Sequence, residues 1–370
     1  MSKAERQRPH EQDEVKRRSN FDPVEENFTP EQAALEASRC LNCKNPLCRK
    51  GCPVSVDIPG FISKVKEGDI QAAGEIIRNS NMLPSVCGRV CPQERQCESK
   101  CVLGIKGDSV AIGALERYVG DNSESKKVEI KENGKKVAIV GSGCAGMSAA
   151  ADLRNAGFEV SVFEALHELG GVLRYGIPPF RLPRTVLDRE IETLKEIGVK
   201  FYKNVIVGKS ITLNQLKEEG YDAIFICSGA GLPKTLGVPG ENLNGVYSAN
   251  EFLTRVNLMH ANDPNTPTPL KVGNKAAIIG GGNVAMDAAR TAVRVGYKEV
   301  YIVYRRTEEE LPARKEEIRH AKEEGIIFKL LHSPVEILGS EGCVNGIKLE
   351  VMELGEPDES GRRRPVPTGK

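Results

Sequence analysis

The sequence predicts an α/β protein: an all-helical, cysteine-bearing N-terminal module, then two doubly wound βαβ units. Three observations carry that prediction. Of 11 cysteines, Cys40, Cys43, Cys48, Cys52, Cys87, Cys91, Cys97 and Cys101 crowd one segment of helical pattern. Short apolar strands then alternate with helices, each time through a Gly-rich turn, first at Gly141 and again at Gly280, 139 positions on. The length of 370 residues, 39% apolar and 28% charged, suits two or three globular domains at roughly 150 residues each.

Taken in order, residues 1–30 are charged and Pro-interrupted, and are expected to form a polar arm that orders only against something else. The helical module spans 31–120. EQAALEASRC opens it, with Thr29 placed to cap and Pro30 at the first helical position. Helical patterns continue through IPGFISKVKEGDIQAAGEIIRNS and AIGALERYV. Residues 121–135, within DNSESKKVEIKENGKK, have almost nothing to bury and read as a linker. In the first nucleotide-type unit, 136–262, KVAIVG, MSAAADLRNAG and VSVFE give strand, helix and strand. MHANDPNTPTPL marks the boundary before the second unit, 271–370, where KAAIIG, NVAMDAARTAVRVG and VYIVYRR repeat the order.

With 52 basic against 51 acidic side chains, there is no concentrated positive field for nucleic acid. No secretory signal or membrane-length apolar run is present, so a cytoplasmic location is expected, and no membrane partner. A disulfide framework would need an oxidising compartment, which points the thiols toward metal or cluster ligation instead.

C-x2-C-x4-C-x3-C-P covers Cys40 to Pro53, and C-x3-C-P recurs from Cys87 to Pro92. Cys97 and Cys101, four apart, are expected on one face of a helix. Eight thiols with a repeated C-x3-C-P point to two iron–sulfur clusters. Two zinc sites of four cysteines each are the competing reading, weakened because only Cys40 and Cys43 have the C-x2-C spacing. Spacing alone does not say which four thiols serve which site.

Gly141-x-Gly143-x-x-Gly146 opens a helix directly after a strand, and Glu164 ends the next strand. The first glycine makes the tight turn, the second admits a pyrophosphate to backbone N–H groups, and the third lets helix and strand approach. The carboxylate at 164 can accept from ribose hydroxyls. In the second unit the fingerprint is Gly280-x-Gly282-x-x-Ala285, and the place of the ribose acid is taken by Arg305 and Arg306. Two guanidiniums there favour a 2′-phosphate, hence NADPH over NADH, with Arg314 a weaker candidate for the same phosphate. An acid at one site and arginines at the other imply FAD and NADPH on one chain, and a flavin joins two-electron hydride chemistry to one-electron clusters.

These stretches, together with CLNCKNPLCRKGCPVSVDIPGFI, LPSVCGRVCPQERQCESKC, ELGGVLRYGIPPFRLPR, GVPGENLNGVYSANEFL and VYRRTEEELPAR, make the chain resemble a known family. It is that of the NADPH-dependent glutamate synthase small (beta) subunit, with the large subunit of the electron-bifurcating NADH-dependent ferredoxin:NADP oxidoreductase and the N-terminal half of dihydropyrimidine dehydrogenase. The resemblance implies a glutathione-reductase-like pair of FAD- and NAD(P)-binding domains behind an iron–sulfur domain. It also implies one [4Fe-4S] cluster on Cys40, Cys43, Cys48 and Cys101, and a second on Cys52, Cys91, Cys97 and Glu116, leaving Cys87 a bystander. Near FAD it places Ser142, Gly143, Cys144, Ala145, Gly146, Glu164, Gly170, Gly171 and Arg181, with Ser228 and Gly229 closing over the cofactor. Gly281, Gly282, Asn283, Val284, Arg305 and Arg306 fall at NADPH.

Two departures stand out. Cys144 replaces a common proline at a helix N-terminus that could activate a thiol, and is expected to be a buried, inert neighbour of the pyrophosphate. The chain also stops at RRRPVPTGK, where the family continues to finish the NADPH domain and return to the FAD domain. The C-terminus is therefore expected to be truncated, with the FAD domain present in its first part and the NADPH domain incomplete.

The expected function is an NADPH oxidoreductase subunit passing electrons between NADPH, FAD and two [4Fe-4S] clusters to a second redox subunit. That partner would resemble the glutamate synthase large subunit, or a ferredoxin- or NAD-reducing flavoprotein subunit. Hydride transfer needs alignment more than a proton relay, so no catalytic acid or base is named. The contrasting expectation is a non-catalytic, zinc-stabilised binding module.

Overall fold

In the computed structural model, which describes residues 5–125, 129–359, 361 and 363–370, the clustered cysteines lie in and between short helices, and Cys40, Cys48, Cys52, Cys97 and Cys101 pack at one apolar core. The first compact unit contains Pro23–Arg174, Pro179–Gly229 and the N-terminal stretch ending at Gln12; the second contains Asp13–Asp22, Tyr175–Pro178 and Ala230–Lys370.

After α1 (Glu14–Arg17), a turn that belongs to the second unit, α2 (Pro30–Ser38) begins the helical module. Its start is a capping box: the Thr29 hydroxyl accepts from Gln32 N–H, and the Gln32 side chain accepts from Thr29 N–H. α3 (Leu47–Gly51) follows, then α4 (Ile58–Glu67) and α5 (Ile70–Arg78). These last two stay separate because Gly68 adopts φ 80° and Asp69 at once caps the next helix. α6 (Pro84–Val90) and α7 (Ile112–Asn122) complete the module. Phe28, Phe61, Ile62, Ile77, Leu115 and Val119 form its core, against which Cys48, Cys52 and Cys101 pack.

The polar arm orders against its own unit at several points. Arg6 donates to Ser109 and Glu98, Gln7 N–H donates to Glu36, and Val24 is buried. Residues 1–4 of the arm and 126–128 of the linker lie outside the described residues. The linker is shorter than expected: Asp121 and Asn122 end α7, Asp121 pairs with Arg89 and Ser123 accepts from Arg78, whereas Asn133 N–H donates to Gly157 O and Glu132 pairs with Arg154 in the first nucleotide unit.

In that unit β1 (Lys136–Val140), α8 (Cys144–Asn155) and β2 (Glu159–Phe163) form the βαβ core. The short turn α9 (Val172–Tyr175) and α10 (Arg184–Glu196) lead to β3 (Lys200–Tyr202), and α11 (Leu213–Glu218) leads to β4 (Ala223–Ile226). The four strands are parallel, in the order β3-β2-β1-β4. This order puts the β1–α8 turn at the carboxyl edge of the sheet, between β2 and β4.

In the second unit α12 (Ala249–Asn257) precedes β5 (Lys275–Ile279), α13 (Asn283–Arg294), β6 (Glu299–Tyr304), α14 (Lys315–Glu323) and β7 (Ile327–Leu330), with parallel order β5-β6-β7. The chain then leaves the doubly wound pattern. β8 (His332–Ser340), β9 (Cys343–Pro357) and β10 (Arg363–Pro367) make a separate antiparallel sheet that the sequence reading did not anticipate. Glu341 and Gly342, at φ 51° and 74°, form the tight turn between β8 and β9.

A buried ion network braces this second unit. Glu324 accepts from Arg17, Arg290 and Arg294, and Arg290 also reaches Glu317. No helix among the described residues is long and apolar enough to cross a membrane.

Candidate functional site

The two C-x3-C-P repeats fold alike. Cys48 lies within α3 and Cys87 within α6, while Cys52 and Cys91 are the residues at which those helices end. Both end residues are extended, at ψ 123° and 144°, because the following Pro53 and Pro92 disfavour helical backbone before them.

Cys40, Cys43, Cys48 and Cys101 line one cavity together with Ile58, Ile62 and Val110. Burial raises the Cys40 thiol, and the nearby Cys101 and Cys43 add to the effect. Burial also pushes Cys48 up to about 11, with Cys40, Cys101 and Cys43 again as neighbours. Thiols at Cys40 and Cys48 whose ionisation is opposed by burial and by their neighbours around a cavity suit a cationic centre, which would relieve that cost.

A second group surrounds Glu116 on α7. Burial raises the Cys97 thiol, with Glu98, Glu116 and Cys52 as acidic neighbours. Burial and then Cys91 push the Glu116 carboxyl up to about 8, and a hydrogen bond from Asn81 opposes the rise. Cys87 lies beside this group, its thiol raised by the hydrogen bond with Cys91 and by burial. Cys97 and Cys101 do not share a helix face. A 3-10 turn at Glu98–Lys100 separates them, and they adjoin different groups. Among the described residues no three cysteine sulfurs lie within 4.8 Å of one another. A tetrahedral zinc with Zn–S near 2.3 Å would draw them to about 3.8 Å apart, so the wider spacing suits a cluster and not a single ion.

At the first nucleotide loop Gly141 has φ 110°, and a Cβ on Gly146 would lie 2.0 Å from Gly141 O, so helix and strand meet only through glycine. Glu164 accepts from Ser142 N–H at 2.9 Å, from the Ser142 hydroxyl at 2.5 Å and from Leu166 N–H at 2.9 Å. The Ser142 hydroxyl in turn accepts from Gly170 N–H at 3.0 Å. The expected ribose acceptor thus also holds the loop in shape. A Cβ on Gly171 would come within 2.8 Å of Gly143 Cα, while nothing lies within 4 Å of one on Gly143. That open side faces the first turn of α8, whose N–H groups have no intrahelical partners, and it suits a pyrophosphate.

Ser228 adjoins the loop, its Cα 3.4 Å from where a Cβ on Gly141 would stand, and Gly229 follows at φ 76°. Arg181 is half-buried between the buried Phe180 and Leu182. Cys144 and Ala145 are exposed on the first turn of α8, so Cys144 is not the buried thiol expected from its place beside the loop. The buried side of that turn is instead taken by Cys227, whose Sγ lies 3.5 Å from Gly141 O, a residue the sequence reading passed over.

At the second loop Gly280 has φ 137°, and Gly281 backs onto Leu311 and Tyr304. Asn283 begins α13 and accepts Arg314 N–H at 2.9 Å, while Ala313 N–H donates to Gly281 O at 3.1 Å. A Cβ on Gly282 would meet only Pro312 Cγ, at 3.9 Å, and Val284 is exposed. The two arginines after β6 differ: Arg305 is exposed, whereas Arg306 is 8% exposed and its buried Nε has no hydrogen-bond partner. A buried guanidinium N–H without a partner is costly, and the cation suits an anion. Arg314 is buried and pairs with Glu316, which leaves it less suited to a phosphate.

Residues 17–128 match the family described as dihydropyrimidine dehydrogenase domain II, 4Fe-4S cluster, and residues 135–360 match pyridine nucleotide-disulphide oxidoreductase. The glutamate synthase [NADPH] small chain of Halomonas elongata is 40% identical over 369 residues, 97% of this chain and 77% of that protein. The same-named chain of Escherichia coli is 39% identical, over 94% of this chain and 75% of that one. The beta subunit of an NADP(+)-dependent formate dehydrogenase from Moorella thermoacetica is 39% identical, covering 86% of this chain and 48% of that protein. Among solved structures, Mycobacterium tuberculosis FprA in complex with NADPH is similar at TM-score 0.53 and 26% identity, over 64% of this chain and 67% of that one.

Proposed function

This chain belongs to the family of the glutamate synthase [NADPH] small chain, and from that premise we propose that it is the NADPH-oxidising, electron-delivering subunit of a larger redox enzyme. It is an NADPH-dependent oxidoreductase with FAD and iron–sulfur centres. Bound FAD would supply two-electron hydride acceptance and one-electron release, and two [4Fe-4S] clusters would supply one-electron carriage.

The chain's own residues bind and align. Glu164 fixes Ser142, and through it Gly170, so that the Gly141–Gly146 loop presents the first turn of α8 to the FAD pyrophosphate. Gly281, Gly282 and Asn283 do the same for NADPH, with Arg306 and Arg305 taking the 2′-phosphate. Cys40, Cys43, Cys48 and Cys101 hold one cluster; Cys52, Cys91, Cys97 and Glu116 hold the other. The partner is a second redox subunit of the glutamate synthase large-subunit kind, receiving electrons from the cluster domain.

The observation that carries this reading is the contrast between strand ends on one chain: a carboxylate after β2, arginines after β6, and two separate acidic groups ahead of both. The test is anaerobic preparation of the full chain with metal, sulfide and flavin analysis, followed by titration with NADPH and NADH. About eight iron and eight acid-labile sulfide per chain, bound FAD, and flavin bleaching by NADPH in preference to NADH are expected. Stoichiometric zinc without sulfide would sink the proposal.

A further inference from the structure

Glu116 has a neighbour that the ligand pattern does not include. Asn81, in the bend between α5 and α6, is buried, and its Nδ2 donates to Glu116 Oε1 at 2.7 Å. The amide cannot be the other way round. Its Oδ1 accepts the Leu83 backbone N–H at 3.0 Å, a group that can only donate, so the NH2 end must face the carboxylate. The same Oδ1 accepts the Cys87 thiol at 3.5 Å. One buried amide therefore touches a proposed ligand on one side and the spare fourth thiol of that group on the other.

We propose that Asn81 is the positioning residue of the Glu116-ligated cluster. It occupies Oε1 so that Glu116 offers only Oε2 to iron, and it engages the Cys87 thiol outside the ligand set. In a buried site water cannot substitute for the missing donor, so the carboxylate's rotation is fixed by this one contact. The donor also withdraws charge from the carboxylate, which raises the cluster's reduction potential. The inference rests on Glu116 being a ligand.

The test uses the full chain, reconstituted anaerobically, with Asn81→Ala, Asn81→Asp and Glu116→Ala. Aspartate keeps the acceptor for Leu83 N–H and the turn into α6, but loses the donor toward Glu116. Electron paramagnetic resonance and redox titration of both clusters are the readouts, with the Cys40-group cluster as the internal control of folding. Both Asn81 variants are expected to lower the midpoint potential of one cluster and change its spectrum, the other cluster keeping its own. Loss of about four irons from both variants, with the control cluster intact, supports the proposal equally. If Asn81→Asp behaves as the parent, Asn81 merely caps α6 and the proposal is overturned. Parental spectra in Glu116→Ala would overturn the ligand assignment itself, and the proposal with it.

Discussion

Arg305 and Arg306 are adjacent in sequence, yet one is exposed and the other buried with an unsatisfied Nε. A partly desolvated guanidinium–phosphate contact contributes about 1.5–3 kcal/mol, or roughly 10- to 150-fold in affinity. Replacing Arg305 with Asp and Arg306 with Ser should remove most of the NADPH preference, and Arg306→Ser alone should account for the larger part. The ratio of kcat/KM for NADPH over NADH measures this, and a ratio within about threefold of the parent rules the role out. Cys87 and Cys91 pose the same kind of question, since they share one C-x3-C-P frame. Cys91 ends its helix in extended backbone, whereas Cys87 is held within α6 against Asn81. Cys87→Ala is expected to keep both clusters and Cys91→Ala to lose one, read as iron per chain; equal losses would refute the assignment. The residue types at these sites were legible in the sequence. The family resemblance, and not spacing, implied that Cys87 stands apart from Cys91, while the difference between Arg305 and Arg306 depends on what surrounds each side chain.

Single elements were read best where the signal is local. The Thr29 cap and both Gly-rich loops follow from residue chemistry within a few positions, whereas the Gly68–Asp69 break, equally local, was passed over. The helical reading of Cys97–Cys101 failed, since spacing by four does not require an α-helix and a 3-10 turn occupies the interval. The β8–β10 sheet was missed although its signal is present: alternating runs on either side of Glu341-Gly342. The β1–α8 loop gives a paired prediction. Gly146→Ala would drive a Cβ to 2.0 Å from Gly141 O and force α8 from its strand, so it should cost about 1–3 kcal/mol or more and also lose flavin. Gly143→Ala has open space and φ −69°, so it should leave the melting temperature near the parent's while weakening flavin retention, its methyl group entering the pyrophosphate's place. Thermal melts alongside FAD content separate the two. Equal destabilisation by both substitutions would contradict the open cradle.

At the scale of the whole molecule, the second unit depends on a contact 307 positions apart in sequence, Arg17 to Glu324. Burial alone would raise the Glu324 carboxyl, but the hydrogen bond from Arg294 and the charge of Arg290 outweigh it and hold Glu324 down to about 2. The folded value is below the usual 4.5, so this contribution to stability is complete above that pH and is lost as pH falls toward about 2. Glu324→Gln leaves three buried arginines short of a carboxylate and should destabilise by about 3–5 kcal/mol near neutral pH. The deficit should shrink as acid protonates the parent; a variant as stable as the parent at pH 7 would show that the network contributes nothing. Nothing in the charged N-terminal arm singles out Arg17 for this role. The sequence by itself determined the order of the modules, the loops at Gly141 and Gly280, and the opposite charges after β2 and β6, because turns, caps and periodicity are set by neighbours along the chain. Only the tertiary structure decided which arginine is buried, and that Asn81 reaches Glu116 while Arg17 reaches Glu324. Burial and approach between distant residues are properties of packing, and no spacing along the chain encodes them.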